Sequence, residues 1–482
     1  MALNRELLTP RRGAKPVGSN AVKVMITLSV MVLVWVAYQP DNSSYLMVGE
    51  PKCPASKLEE PGSGLVGKEG LGSATSGRLF LGKPVRTLPE HIRRRFAGNL
   101  KKSQRAGENH KWINRHNFCD KWSVVTTIFE PSDAVKVQGK LGGGWCLVVV
   151  GDRKGPFEYP LPEFNKDGKF VFLDADKQKQ MFDSLELGSI VPWGHFGRKT
   201  FGYLYAIAHG AKLVWDFDDD NMLRTKDPVA IQEPNSAPNI TVFTIHDSKC
   251  KSFNPYPAMG TKFLPSWPRG LPLEDIKDEA CQVRSDDLIE ESIPTGNIAI
   301  YQSLANHDPD VDAIYRLTQP LPFEFDDPRK RYVMVPTTAM SPFNAQATLF
   351  TYDALFLLLL PVSVHGRVSD IWRSYYAQRL LLDCNRRIVF SPPQVDQYRN
   401  AHNYLADIDS ELDLYKKSGK MIEFLAREWA PEKPTDSIPS RWEQLTFELY
   451  KRDFIDVEDI ELAQAWIQQL VDVNYIFPEV TQ

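Results

Sequence analysis

Four carboxylates fall within five positions at Asp216, Asp218, Asp219 and Asp220, directly after the apolar run Leu213-Val214-Trp215. Such crowding asks for a cation. Three consecutive apolar residues read as a parallel strand covered on both faces, which puts the acidic run at its carboxyl end, where open α/β sheets bind ligands. If the extension continued, Asp216, Asp218 and Asp220 would share one side. They would then offer the hard oxygen ligands that Mn2+ or Mg2+ prefers. Upstream, Phe201, Leu204, Tyr205 and Ala208 share one helix face, Gly210 stands where a left-handed cap would sit, and Arg198 and Lys199 open the helix. Cations at a helix start oppose the dipole, so their placement there predicts an anion held by them and by the free backbone N–H groups. A metal and a diphosphate at one strand end point to a sugar nucleotide. The expected site is therefore Asp218, Asp219 and Asp220 on the metal, with Arg198, Lys199 and Asp216 on the donor. A solvated acidic turn is the competing reading, since an Asp-x-Asp pattern alone is weak.

Other residues are weaker candidates. Asp370 opens the amphipathic stretch Val368–Leu382 and is the candidate general base, with His365 beside it as a possible third metal ligand. Asp152, after a second strand-like run, could meet a ribose hydroxyl or close a turn. Asp308, Asp310 and Asp312 form a second acidic cluster that reads better as a helix or turn cap. Tyr256, Trp267 and Arg269 lie in a long segment crowded with Pro, Gly and aromatics, where they would line a sugar pocket or pack on the core.

These residues need a scaffold. Strand-like runs at Trp122–Phe129, Gly144–Val150 and Phe170–Leu173 alternate with helical stretches, which predicts an α/β fold with a mostly parallel sheet. From Leu405 onward the pattern is helical. The 482 residues carry a net charge of −4, with 43% hydrophobic and 24% charged side chains, so a large core is possible and a general nucleic-acid surface is not indicated. Six cysteines show no zinc spacing. Buried free thiols are the default expectation, and Cys250 with Cys281 is the first pair to test for a disulfide.

The N-terminal part reads as an anchor. Residues 1–20 are basic, residues 21–38 form an apolar run about 27 Å long as a helix, and acidic residues follow, which predicts a cytosolic tail, a single span and a luminal remainder. A cleaved signal peptide is the alternative. Residues 39–118 are expected to be a flexible stalk, 119–400 the α/β domain and 401–482 a C-terminal helical region. Asn42 and Asn239 stand in glycosylation sequons.

The blocks KWSVVTTIFEPSD at Lys121, GWCLVVVGDRKGP at Gly144, RKTFGYLYAIAHGAK at Arg198, WPRGLPLEDI at Trp267, PDVDAIYRLT at Pro309 and LPVSVHGRVSDIWRSYYAQRLL at Leu360 carry a resemblance. Together they make the chain similar to the STELLO family of Golgi glycosyltransferase-like proteins. The resemblance implies a type II Golgi membrane protein with a GT-A-like nucleotide-sugar fold over residues 119–400, and a glycan or protein acceptor. For the plant members it implies association with a polysaccharide synthase during its assembly. It carries Arg198, Lys199, Asp216, Asp218 and Asp219 into a shared donor-site motif, from which this chain departs by adding Asp220 and Asn221. A weaker similarity of the same stretch to the reversibly glycosylated polypeptides implies a UDP-sugar. Either a metal-dependent glycosyltransferase or a non-catalytic factor that assists such a synthase fits these expectations.

Overall fold

The computed structural model describes residues 79–80, 83–98, 100–104, 110–161, 164, 168–224, 237–246, 248–327, 329–399 and 403–481. The expected tail, the span over 21–38, most of the stalk, Cys53 and Asn42 lie outside the described residues. Among those described, no helix is long and apolar enough to cross a membrane.

Eleven strands build one mixed sheet. In chain order they are β1 (Lys121–Thr126), β2 (Trp145–Val150), β3 (Phe170–Leu173), β4 (Leu213–Asp216), β5 (Asn221–Leu223), β6 (Asn239–Thr244), β7 (Ile289–Pro294), β8 (Ile298–His307), β9 (Val333–Met334), β10 (Thr348–Thr351) and β11 (Arg387–Gln397). Their spatial order is β3-β2-β1-β4-β10-β8-β11-β9-β6-β7, with β5 added to β11. The first four are mutually parallel. β10 runs against both β4 and β8, and β8 is parallel to β11. Thus β1 to β4, β8 and β11 all point one way, and their carboxyl ends share one edge of the sheet.

The strands form because alternate side chains enter two different cores. Val124, Val148 and Val150 pack with the helices on one face, whereas Val125, Leu147 and Val149 pack on the other. Helix α1 (Asp133–Gln138) begins with Ser132 accepting from the Val135 N–H. Helix α2 (Ala175–Phe182) is capped by Asp174, and α3 (Glu186–Ile190) follows. Helix α4 (Lys199–Ala208) is buried along its whole length. It lies so close to the sheet that a Cβ on Gly202 would come within 2.7 Å of Val150 and 2.8 Å of Val124. Gly210, at φ +90°, then reverses the chain into β4. The remaining helices are α5 (Ala313–Thr318), α6 (Gly366–Leu382), α7 (Tyr404–Ser410), α8 (Leu412–Glu423), α9 (Ile438–Lys451) and α10 (Val457–Asp472).

The C-terminal region is helical as expected, and it packs on the sheet, with Trp442 and Trp466 in the same core as Phe201 and Trp372. The Trp466 indole N–H donates to Phe356 O at 2.8 Å. One expectation needs correction: the chain before Cys119 is not a flexible stalk where it is described, since Ile92 and Phe96 are buried. Glu443 of α9 accepts from the Arg95 and Phe96 N–H groups at 2.7 and 3.2 Å, and Asp472 of α10 accepts from Ser103 N–H and Oγ–H, both at 2.7 Å. The physical reason is partnership: Arg94 meets Glu432 and Arg95 meets Glu186, so this part of the expected stalk is held against the fold.

Cys250–Cys281 is a disulfide, and so is Cys119–Cys146, which spacing did not single out. Cys384 is buried and free.

Candidate active-site edge

The chain leaves β4 at Asp216 and turns at once, so two-residue alternation stops there. This separates the four aspartates. Asp216 is wholly buried, with Lys199 Nζ 2.6 Å from one oxygen and Arg373 Nη2 3.4 Å from the other. Asp218, Asp219 and Asp220 instead stand partly exposed at the carboxyl edge. Asn221 closes the turn, its Oδ1 accepting from Asp218 N–H at 3.1 Å and its Nδ2 donating to Asp220 at 3.1 Å. Thr127, at the end of β1, donates its hydroxyl to Asp219. Gln397, at the end of β11, donates to Asp220 Oδ2 at 3.1 Å.

Lys199 is not a surface donor-binding residue, contrary to expectation. Its ammonium reaches down from the first turn of α4 and donates to Phe217 O (2.8 Å), Ala345 O (3.0 Å) and Asp218 Oδ1 (3.2 Å). Burial alone would lower its pKa, but Asp216 and Asp218 outweigh it and hold the amine charged. Arg198 is also turned inward. Its guanidinium donates twice to Gln178 Oε1, at 3.0 and 2.6 Å, and once to Val191 O at 3.1 Å, and it lies 3.6 Å over Trp193. Burial pulls it down to about 10. The N–H groups leading into the helix are also taken, with His195 Nδ1 accepting from Gly197 N–H, His195 O from Arg198 N–H, and Phe196 O and Gly197 O from Lys199 N–H. Asp216 is thus the buried counter-ion of Lys199 and Arg373, with no free face for a donor.

The acidic turn keeps its strain. Desolvation first, then Asp220, Asp216 and Asp219, push the Asp218 carboxyl up to about 7 against the pull of Lys199. A third of its side chain (33%) is still in water, which screens the effect. Asp219 is raised by burial and by Asp220. Among the described residues no three of these carboxylates bring oxygens within 4.8 Å of one another. A closed all-protein cage is therefore absent there. One or two carboxylates completed by substrate phosphates is the arrangement Mg2+ tolerates best, and the turn fits that pattern. The only group of three close ligand atoms among the described residues, Cys250, Asp275 and Cys281, has its two sulfurs bonded to each other.

Asp370 is not free to act as a base. It is buried on α6, with both oxygens taken by Arg269 at 3.1 and 2.9 Å and one also accepting from Ala345 N–H at 3.2 Å. The same guanidinium holds Asp310 at 2.8 and 3.0 Å. Burial would raise Asp310, yet Arg269 and Arg399 hold it well below the carboxylate range. Asp312 caps α5 by accepting from Tyr315 N–H at 2.7 Å, and it also takes the Trp267 indole N–H at 2.7 Å. Tyr256, Trp267 and Arg269 are interior residues rather than a sugar pocket. His365 caps α6 through Nδ1 on Arg367 N–H at 3.2 Å. Asp152 closes a turn, accepting from Arg153 N–H (2.6 Å) and Gly194 N–H (2.8 Å).

That turn exposes what sequence reasoning missed. Arg153 and Lys154 stand in solvent at the carboxyl end of β2, two strands from β4 and so roughly 10 Å across the sheet. Arg153 lies 4.5 Å over Trp193. Phe129 and Phe157 are exposed on the neighbouring loops. Asp-Arg-Lys-Gly after an apolar strand was the available signal, since a turn at a strand's carboxyl end presents its charges to whatever binds the edge. Asn239, at the start of β6, is exposed and accessible to modification.

The family profile of the STELLO glycosyltransferases matches residues 367–482, from α6 to the end of the chain. Two Arabidopsis thaliana proteins, described as probable glycosyltransferases STELLO1 and STELLO2, are each 30% identical to the chain, over 383 and 373 residues. Each match covers 75% of this chain, and 45% and 46% of the respective relative, so the chain spans about half the length of these curated relatives. With the α/β sheet, the acidic turn and these matches together, the chain belongs to the STELLO family.

Proposed function

We propose that the chain is a glycosyltransferase that moves a sugar from a nucleotide-sugar donor, with UDP-sugars the first class to test, to an acceptor hydroxyl at the carboxyl edge of the sheet. The observation that carries this reading is the turn Asp218–Asp220: partly exposed, beside a fixed ammonium, with desolvation first and then the neighbouring carboxylates lifting Asp218 to about 7. Asp218 and Asp220 would hold Mn2+ or Mg2+. Such an ion supplies Lewis-acid stabilisation of the negative charge on a departing diphosphate. Lys199 keeps Asp218 oriented and partly neutralised, Gln397 and Asn221 fix Asp220, and Arg153 and Lys154 offer exposed cations to the phosphates.

Calorimetry of the full chain with UDP- and GDP-sugars, with and without Mn2+, tests this. Binding is expected to require the metal and to weaken at least about tenfold in Asp218→Asn and Asp220→Asn, as loss of a charged ligand predicts. A chain that binds no nucleotide sugar under any of these conditions would sink the proposal.

We further propose a type II Golgi membrane protein with this domain in the lumen. Two disulfides and an exposed sequon at Asn239 support an oxidising compartment. One observation favours a second reading, a non-catalytic factor that assists assembly or trafficking of a polysaccharide synthase. The candidate base Asp370 is locked in ion pairs, and the buried cations Lys199 and Arg373 neutralise Asp216.

A further inference from the structure

Beyond the acidic turn, the same edge of the sheet carries an aromatic feature that the donor site does not use. Tyr398 follows the last residue of β11 and is 60% exposed. An exposed tyrosine alone is ordinary. Three observations set this one apart. Its neighbours on both sides are pinned, Gln397 to Asp220 at 3.1 Å and Arg399 to Asp310 at 3.4 Å, so the ring is presented outward from a fixed backbone. It rests on the His307 ring, with centroids 4.5 Å apart. And His307 adopts φ +73°, a left-handed conformation rare outside glycine, held by paired backbone hydrogen bonds to Phe323 at 3.1 and 3.2 Å.

Beside this pair runs a groove of about 580 Å3 whose walls include Asn306, Glu324, Lys262 and Arg224. It joins the acidic turn through β5, which begins at Asn221 next to Asp220 and ends one residue before Arg224. Arg224 N–H donates to Gln394 O at 2.9 Å, so the distance along β5 and β11 is three to four residues, roughly 10–13 Å. Charges of both signs line the groove, Arg224, Lys262 and Lys330 with Glu324, Asp326 and Asp327, and Arg224 meets Asp396 at 3.2 Å and Lys262 meets Asp326 at 3.9 Å. No single sign dominates.

We propose that Tyr398, packed against His307, is a binding platform for a neutral glycan acceptor, whose chain continues from the acidic turn along β5 into the Arg224 groove. The proposal rests on the glycosyltransferase reading for the word acceptor and deepens it by naming the substrate class. An aromatic face takes the C–H face of a pyranose ring, while charges of both signs meet its hydroxyls and give no advantage to an ionised sugar. Because the ring is already fixed, little ordering is lost on binding.

The test uses the full chain and linear tetrasaccharides built from glucose, mannose, galactose or xylose, followed by saturation-transfer NMR and titration. At least one is expected to bind, with transfer strongest to the protons on one sugar face. Tyr398→Ala should weaken it by roughly tenfold, Tyr398→Phe by no more than about twofold, and UDP-sugar binding should be unchanged in both. A chain that binds none of the four, or whose Tyr398→Ala variant binds as the parent does, overturns the platform. Tetrasaccharide binding that depends on Tyr398 in a chain that takes no nucleotide sugar supports the platform and instead removes the donor reading.

Discussion

At the scale of single residues, the position of one ammonium decides how the acidic run works. Lys199 sits where a bare cluster of carboxylates would need an ion, and it takes one oxygen of Asp216, with Arg373 on the other, while reaching only the near oxygen of Asp218. Lys199→Met is therefore expected to leave a buried carboxylate half-paired and to cost on the order of 3–5 kcal/mol, read as a lower urea midpoint with unchanged slope. A midpoint within error of the parent would show that Arg373 alone suffices for Asp216. The acidic run itself was legible in the sequence, as was its place after a buried strand. Its division into one buried and three partly exposed members was not, because that follows from where the strand ends and from Arg373, which arrives from 157 positions away. Asp370 and Arg198 misled for the same reason: a charged residue at a helix start looks solvent-facing until the residues it meets across the fold are known.

At the scale of elements, the helices and strands around the site followed the periodicity closely. β3 spans the expected Phe170–Leu173, and α6 covers the expected amphipathic stretch with two residues added in front. What periodicity could not supply was partnership between elements. The loop before α6 is tied to α10 by Asp459, which accepts from Val362 N–H at 2.6 Å and Ser363 N–H at 3.2 Å. Burial raises this carboxyl to about 6 although those hydrogen bonds oppose the shift. A folded pKa above the unfolded value of about 3.9 means that the folded state holds the proton more tightly. Asp459 is then least costly below about pH 4, and its contribution falls as the pH rises through about 6. The parent should accordingly lose more stability than Asp459→Asn between pH 4 and 6, measured by urea unfolding at each pH. Parallel profiles would show that Asp459 titrates normally.

At the scale of the whole molecule, residues 83–98 and 100–104 form a strap across the C-terminal helices rather than a spacer. Phe96→Ala should cost about 3 kcal/mol, seen as a lower melting temperature, whereas a true stalk would tolerate it without change. The proposed luminal placement makes its own prediction. Asn239→Gln in the chain expressed in a secretory host should remove one glycan and increase gel mobility by one step, and an unchanged band would argue that Asn239 never meets the glycosylation machinery.

The strap's anchors also bear on synthesis. Glu443 and Asp472 are 347 to 369 positions downstream of the residues they hold. On a ribosome the strap therefore leaves the exit tunnel long before either carboxylate has been translated, and Phe96 must wait uncovered for most of elongation. Completion of the fold is reserved for the final helices, so a chain interrupted before α10 would expose a hydrophobic segment near its beginning that quality-control factors can recognise.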